Sequence, residues 1–490
     1  MFHLLVIALC LFGYLLICEE RKRRALKKMF PTLKSLLILP FIGSAISLHT
    51  RNGRDFFKKL QSYFKIYGDT FYGILENQVY VLMSHQADFT PILTSKKLLA
   101  DRQAEYRFFK PWLGDSIFVA SSDAWNRKRK EFYSFFNTKT IKDSIPVLEH
   151  HMDNLVKAIR KNVDTGVAFD VYHIMEAFAI DTVCEITLGL RNNSHEKSVN
   201  IQHCIEENVK IIMWRATHPL FRNDLLYSLT SKYRRSEELT KECRAFIQEI
   251  IEKTKKKAFE SMSLKDAKSF CDYLCCINAR HMPISDEEMR DEILGTVFAG
   301  HDTMTSALSF LTYCLGKYPD VQEKVYQEIK KNINPNESLT IQAINKLHYT
   351  HLVMREVLRM YPSAPVVLRV TPEDIEINGI LYPAGTSFAV NIYKAHHNPR
   401  NFEDPEKFMP ERHEDVKSVE TNNVFNFLAF SPGIRPCKGN RIAEFQMKIF
   451  MIKLLNEYKI EIKDGFEPDI AYDVVLKPYN GIWITLTARQ

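Results

Sequence analysis

Apolar residues recur at three- and four-residue spacing along most of the chain. They predict helices over 54–66, 122–136, 145–162, 171–188, 200–215, 235–258, 285–317, 319–332, 349–360 and 440–457. Strand-like pieces are few: Thr70–Tyr72, Val79–Met83, Ile375–Ile377, Ser387–Asn391 and Gly481–Leu486. Asn378-Gly379 is a hairpin turn dipeptide, and Pro383-Ala384-Gly385 marks a second turn. The pattern describes a mainly α body with a small β-sheet appendage. The longest helix, 285–317, opens with Ser285 and Glu288 in capping-box spacing, and Pro319 stops it.

The amino terminus has a different pattern. Met1 to Cys18 is apolar apart from His3 and a few small residues, and would span roughly 27 Å as a helix. Glu19-Glu20, Arg21-Lys22-Arg23-Arg24, Lys27 and Lys28 come directly after it. A cleaved signal peptide carries its positive charge before the apolar run, so this polarity predicts an uncleaved transmembrane signal-anchor over 1–18. Residues 19–45 read as a basic, proline-containing linker, with Pro31, Pro40 and Gly43 turning the chain. No repeat or Pro/Gly/Ser-rich linker interrupts the remainder of the chain, so 46–490 reads as one domain.

Composition narrows the function classes. With 490 residues and 46% hydrophobic content, the chain can bury a large core. Its net charge of +7, from 66 basic and 59 acidic residues, is not a nucleic-acid profile. The 10 cysteines are scattered without paired zinc spacing, and so read as reduced thiols. His150-His151 and His396-His397 lack the spacing of a zinc helix. No phosphate loop, Rossmann fingerprint or nucleophile elbow occurs, so any electrons must come from a separate partner.

Candidate chemistry concentrates in Phe430-Ser431-Pro432-Gly433-Ile434-Arg435-Pro436-Cys437-Lys438-Gly439. A thiol placed just before a helix meets unsatisfied N–H groups and the positive end of the dipole, which favour the thiolate. Gly433 and Gly439 let the backbone bend tightly and approach something flat, and Arg435 can pair with a carboxylate. An arbitrary cysteine beside a loop is more often a buried free thiol than a metal ligand. The spacing overturns that prior here. The segment resembles the haem-ligand signature of the cytochrome P-450 family at all its fixed positions: Phe430, Gly433, Arg435, Cys437 and Gly439. Average residue usage puts a chance match at about one in ten thousand.

Three further segments carry the resemblance. Ala299-Gly300-His301-Asp302-Thr303 resembles the family's central-helix motif, although Met304 stands where a second Thr or Ser is usual. Glu356-Val357-Leu358-Arg359 with Pro410-Glu411-Arg412 resembles its buried Glu-x-x-Arg triad, with His413 in place of the usual Phe. Trp125-Asn126-Arg127-Lys128-Arg129 resembles its Trp-x-x-x-Arg motif. Alone, each has a plainer reading: a tolerated helical glycine, a solvated ion pair, a solvated basic face.

The resemblance covers roughly 40–490. It implies a single, mainly helical haem domain with haem b between the 285–317 and 440–457 helices and Cys437 as the axial iron ligand. Thr303 is then expected to hydrogen-bond dioxygen, and Asp302 to relay protons. Trp125, Arg129 and Arg369 would anchor haem propionates. Glu356, Arg359 and Arg412 are expected to be structural. The implied activity is monooxygenation of a small apolar substrate by O2, of the kind found among fatty-acid ω-hydroxylases and insect detoxification enzymes. Val297, Ala299, Val366 and Val367 would line the pocket, and Ala299 implies haem without a covalent ester. Expected partners are NADPH-cytochrome P-450 reductase, docking on the cluster Arg127, Lys128, Arg129 and Lys130, cytochrome b5 as a second donor, and membrane lipid. The expected setting is a monomer on the cytoplasmic face of the endoplasmic reticulum. Two alternatives stay open: a reductase-independent isomerase or dehydratase, and a non-catalytic haem-binding relative. The second draws on Pro432, Ile434, Pro436 and Lys438, unusual choices in the ligand loop.

Overall fold

The helix expected at the centre runs from Asp286 to Lys317, and the other elements are arranged about it. The computed structural model describes residues 2–76, 78–95, 103–190, 195–260, 263–280, 283–417 and 425–489. Ser285 caps the central helix by accepting from the Glu288 N–H at 3.1 Å. The Glu288 side chain does not close the capping box, because it pairs with Lys128 and Arg127 instead. Tyr172–Leu188 packs along the central helix, and Gly300 permits the close approach: a Cβ there would lie 2.6 Å from Val183 Cγ2. Asn440–Glu457, Thr138–Ile159, Pro319–Asn332 and His348–Met360 complete the main helical core.

Boundaries depart from the pattern where local chemistry is ambiguous. The helix expected at 145–162 begins at Thr138, capped by Asn137, and carries Pro146 in its interior. The 122–136 segment is helical over Ser122–Glu131 and then tightens to a 3₁₀ turn at Tyr133–Phe135. Phe270–Arg280 is a helix that the apolar spacing did not announce.

The β structure is more distributed than one appendage. A five-stranded sheet runs in the order Lys34–Ser35, Thr70–Leu75, Gln78–Met83, Ser387–Asn391, Val366–Val370. A second sheet places Trp483–Ala488 between Phe169–Asp170 and Tyr458–Ile462. Two hairpins, Ile375–Ile377 with Ile380–Tyr382 and Ile470–Asp473 with Val475–Pro478, complete it. Asn378 and Gly379 both have positive φ, as a type I′ turn requires. Tyr458–Ile462 has no marker in the sequence because it leaves the preceding helix with no Gly or Pro between them.

The amino-terminal segment also differs from expectation. Phe2–Met29 is one helix that continues through the basic run, where Arg23 and Arg24 both pair with Glu20 one turn back. Part of the segment read as a linker belongs to the body: Leu26 and Phe30 are buried against the five-stranded sheet, and Lys34–Ser35 pairs with Phe71–Tyr72. Among the described residues, no helix is long and apolar enough to cross a membrane.

Candidate active site

The ligand loop is held from two sides. The Cys437 N–H donates to the Phe430 carbonyl at 2.9 Å, and the Ile434 N–H donates to the Leu93 carbonyl at 3.3 Å. Gly433 has φ +111, and a Cβ there would lie 2.3 Å from the Leu93 oxygen, so the glycine is required by protein backbone. Gly439 occupies the N-cap of Asn440–Glu457, and its only neighbour near a built Cβ is Cys437 Sγ at 4.0 Å. The thiol itself is exposed, and it opens into a cavity of about 460 Å³.

The central helix supplies the facing residues. Ala299, Gly300, Asp302 and Thr303 line the same cavity as Phe430, Arg435, Cys437 and Gly439. Thr303 Oγ1 donates to the Ala299 carbonyl at 2.6 Å, and Ser363 Oγ donates to the Thr303 carbonyl at 2.9 Å. That second bond ties the segment after the His348–Met360 helix to the central helix at the position where the hydroxyl meets the cavity. Val366 and Val367 line the cavity as expected, but Val297 does not. Gly295, Thr296 and Phe298 around it line the cavity, while Val297 packs into a neighbouring apolar cluster instead.

Asp302 is buried, with His301 Nδ1 at 3.3 Å and Lys477 Nζ at 3.7 Å from its Oδ1. Burial pushes its carboxyl up, but the Lys477 ammonium and His301 outweigh that and hold the pKa below the ordinary value. Burial pushes Lys477 down, and Asp302, Asp473 and Glu176 reverse this, so its pKa is raised. Neither Lys477 nor this network is marked in the linear sequence, because its members come from remote strands and helices.

At the rim, the guanidinium groups of Arg435 and Arg129 both lie over Trp125, 4.7 and 4.9 Å from the ring centroid. Arg129 donates to the Ile434 carbonyl at 2.8 Å, and Arg435 to the Ala120 carbonyl at 2.9 Å. Arg369 is buried opposite Phe388 and donates to its neighbour's carbonyl at Leu368; Leu368 lines the cavity and Arg369 does not. The basic cluster next to Trp125 is not a uniform docking face. Lys128 turns inward and pairs with Glu292 at 2.7 Å and Glu288 at 2.9 Å, because Glu292 is a fully buried carboxylate on the central helix.

Behind the loop, Glu356 accepts from Arg359 at 2.8 and 3.0 Å, Arg412 at 3.1 Å, the Met409 N–H at 2.8 Å and His413 at 2.9 Å. His413 thus adds a polar contact to the triad where a Phe would add only packing.

The donor set suits haem. Among the described residues, no group of three His, Cys, Asp or Glu could hold a bare metal ion. A metal at Cys437 must therefore bring most of its ligands with it, as a porphyrin does. The open space beside Sγ and the cations around Trp125 fit a flat macrocycle with carboxylate arms.

Comparison with known proteins gives a consistent assignment. Residues 33–485 match the family model described as Cytochrome P450. Cytochrome P450 4d2 of Drosophila melanogaster is 27% identical, covering 99% of each chain. Cytochrome P450 4V2 of Rattus norvegicus is 30% identical over 81% of this chain and 78% of its own. The structure of cyanobacterial CYP120A1 with retinoic acid bound superposes with a TM-score of 0.77 at 22% identity, over 93% of this chain and 99% of that one.

Proposed function

The chain belongs to the cytochrome P450 family, and on that premise we propose that it oxygenates an apolar organic substrate with electrons from a separate NADPH-cytochrome P-450 reductase. The family is one of haem-thiolate monooxygenases, which take an axial cysteine thiolate, a redox partner, O2 and an apolar substrate. One observation carries the reading of the site: the Cys437 thiol and the Ala299–Thr303 stretch line a single cavity.

When bound, haem supplies the one-electron and dioxygen chemistry that side chains lack. The remaining work is the protein's. Cys437 would hold the haem iron, its thiolate favoured by the helix that begins shortly after it. Thr303 presents a hydroxyl to the cavity, anchored by its bond to Ala299. Asp302, kept ionised by Lys477, accepts a proton from the polar side of the network and passes it towards Thr303. Phe118, Phe298, Leu358 and Val366 make the lining predominantly apolar and exclude bulk water. Trp125, Arg129 and Arg435 are the proposed propionate anchors, and Ala299 offers no carboxylate for a haem ester.

The reductase, with cytochrome b5 as a second donor, docks on the side of the ligand loop, where Lys438 in the loop and Arg441 at the start of the Asn440–Glu457 helix supply positive charge. Attachment to the cytoplasmic face of the endoplasmic reticulum is supported by the apolar run 1–18 and the basic residues after it. Exposed Leu220, Leu225, Leu226 and Leu229, on one stretch of the surface, add an apolar patch for lipid.

Reconstitution with haem, reductase and NADPH tests this. The reduced protein should give a thiolate-type CO spectrum, and product formed under isotopically labelled dioxygen should carry one labelled atom. Turnover of a peroxide substrate without reductase, with no NADPH-driven product from any apolar compound, would replace this reading with the isomerase one.

A further inference from the structure

Between the short helix Lys110–Leu113 and the helix Ser122–Glu131, residues 114–120 form no helix or strand, yet Ser116 and Ala120 are buried. Backbone shielded outside regular structure must find its hydrogen-bond partners elsewhere. Two consecutive carboxylates of the central helix supply them. Asp291 Oδ2 accepts from the Asp115 N–H at 2.9 Å, and Glu292 Oε2 accepts from the Ile117 N–H at 3.2 Å. Two glycines let this segment lie flat on the helix. Gly114 has φ +58, and a Cβ there would lie 1.9 Å from Asp291 Oδ2. A Cβ on Gly295 would lie 2.8 Å from the Ser116 side chain.

Both carboxylates are fixed in turn. Glu292 is fully buried and also accepts from Lys128 at 2.7 Å and from the Tyr133 hydroxyl at 3.1 Å. Asp291 is buried too, with Arg244 3.5 Å away. Lifting the segment would strip each buried carboxylate of a donor, which is costly. The side chains it presents face inward. Ile117 and Phe118 line the cavity shared by Cys437 and Thr303, and the Phe118 ring packs 5.3 Å from the rings of Phe109 and Phe298. Glu292 stands about three turns before Thr303 on the same unbroken helix, so this wall and the reacting site share one rigid support.

We propose that Asp291 and Glu292 are positioning residues that hold Ile117 and Phe118 as a fixed wall of the cavity, and that this wall sets which shapes of apolar substrate reach Thr303. This rests on the oxygenase reading of the cavity. A wall that yields accepts substrates of several widths at little cost. A fixed wall penalises any that do not match it, by about tenfold or more for a single misplaced methylene.

Amide hydrogen exchange and spin-state titration of the full-length holoprotein test the two halves. The Asp115 and Ile117 amides should exchange slowly in the wild type although they lie outside regular structure. Asp291→Ala should speed exchange at Asp115 by about tenfold, the worth of one hydrogen bond. Dodecanol and cyclododecanol have the same carbon count and differ in width, and the wild type should bind one of them at least about tenfold more tightly than the other. That ratio should shrink to about twofold in Asp291→Ala. Phe118→Ala should shrink it equally while leaving the amides protected, because it trims the wall and spares the clamp. The paired change Lys128→Met with Glu292→Leu exchanges a buried ion pair for apolar side chains, which spares the fold, removes the Ile117 acceptor and should also shrink the ratio. Equal binding of the two alcohols by the wild type, an unchanged ratio in these variants, or wild-type amides that exchange as fast as an open loop would overturn the assignment. A normal thiolate CO spectrum with shape-blind binding sinks this inference alone. Failure to form that spectrum sinks the oxygenase reading and this one with it.

Discussion

The ammonium of Lys477 lies 3.7 Å from Oδ1 of Asp302, joining a carboxyl-terminal hairpin to the middle of the central helix. Both groups are shielded from solvent, and the pairing keeps the Asp302 carboxyl ionised although burial alone would neutralise it. A charge pair of this kind makes the state of a cavity-lining acid depend on a residue from the far end of the chain.

Replacing Lys477 by Met should therefore raise the Asp302 pKa and lower the product formed per NADPH oxidised by about tenfold at neutral pH. Raising the pH should recover part of that yield in the variant and leave the wild type nearly flat. A coupling ratio unchanged by Lys477→Met would show that the pair takes no part in proton delivery.

Cys437→Ser keeps the size of the side chain but removes the thiolate. The reduced CO spectrum should lose its thiolate band, and turnover should fall by ~1,000-fold or more. Retention of the band would mean that another cysteine binds the iron, which the burial of the other described cysteines apart from Cys18 makes difficult.

Glu356→Gln leaves Arg359 buried without its carboxylate and weakens Arg412 and His413 together. Removing one partner of a buried pair costs about 3–5 kcal/mol, so this variant should express without retaining haem. His413→Phe removes one contact and should lose less than half as much, read from thermal midpoints of the two proteins. The wild-type carboxyl is held at about 2 against burial by its partners. Its contribution is thus present above the ordinary carboxylate range and disappears only as pH falls through about 2.

Acid should weaken the fold earlier, through histidines. Burial holds His397 and the half-buried His351 at about 4, below the ordinary 6.5, and pushes His396 well below 6.5 too. A folded pKa below the unfolded one means full stability above about 6.5 and progressive loss as pH falls towards 4. Thermal midpoints should decline across that window, and His397→Gln should flatten the decline. A midpoint constant down to about 4 would contradict the burial of these rings as neutral groups.

Elements with strong, long periodicity were legible without a structure. The central helix starts and stops within a residue or two of its capping serine and its terminating proline, and the Ser387–Asn391 strand falls where the alternation placed it. Both depend on interactions within a few residues, namely caps, turns and one buried face. Less legible were Val366–Val370 and Tyr458–Ile462, short apolar strands with no punctuation at one end. Lys128 reads as a surface cation in a basic run, and only the position of Glu292 on another helix turns it inward.

The site divides in the same way. Sequence alone determined the thiol, its loop and the central-helix motif, because axial ligation and a helix-borne hydroxyl demand fixed residue types at fixed local spacing. Tertiary structure alone decided that Lys477 keeps Asp302 ionised, that Arg435 joins Arg129 over Trp125, and that Arg222 and Glu105 put an ion pair at the wall of an apolar cavity. Lys477 with Asp302, Arg435 with Trp125 and Arg222 with Glu105 each join groups more than a hundred residues apart in the chain. Their strength comes from shared burial, which a linear pattern does not encode.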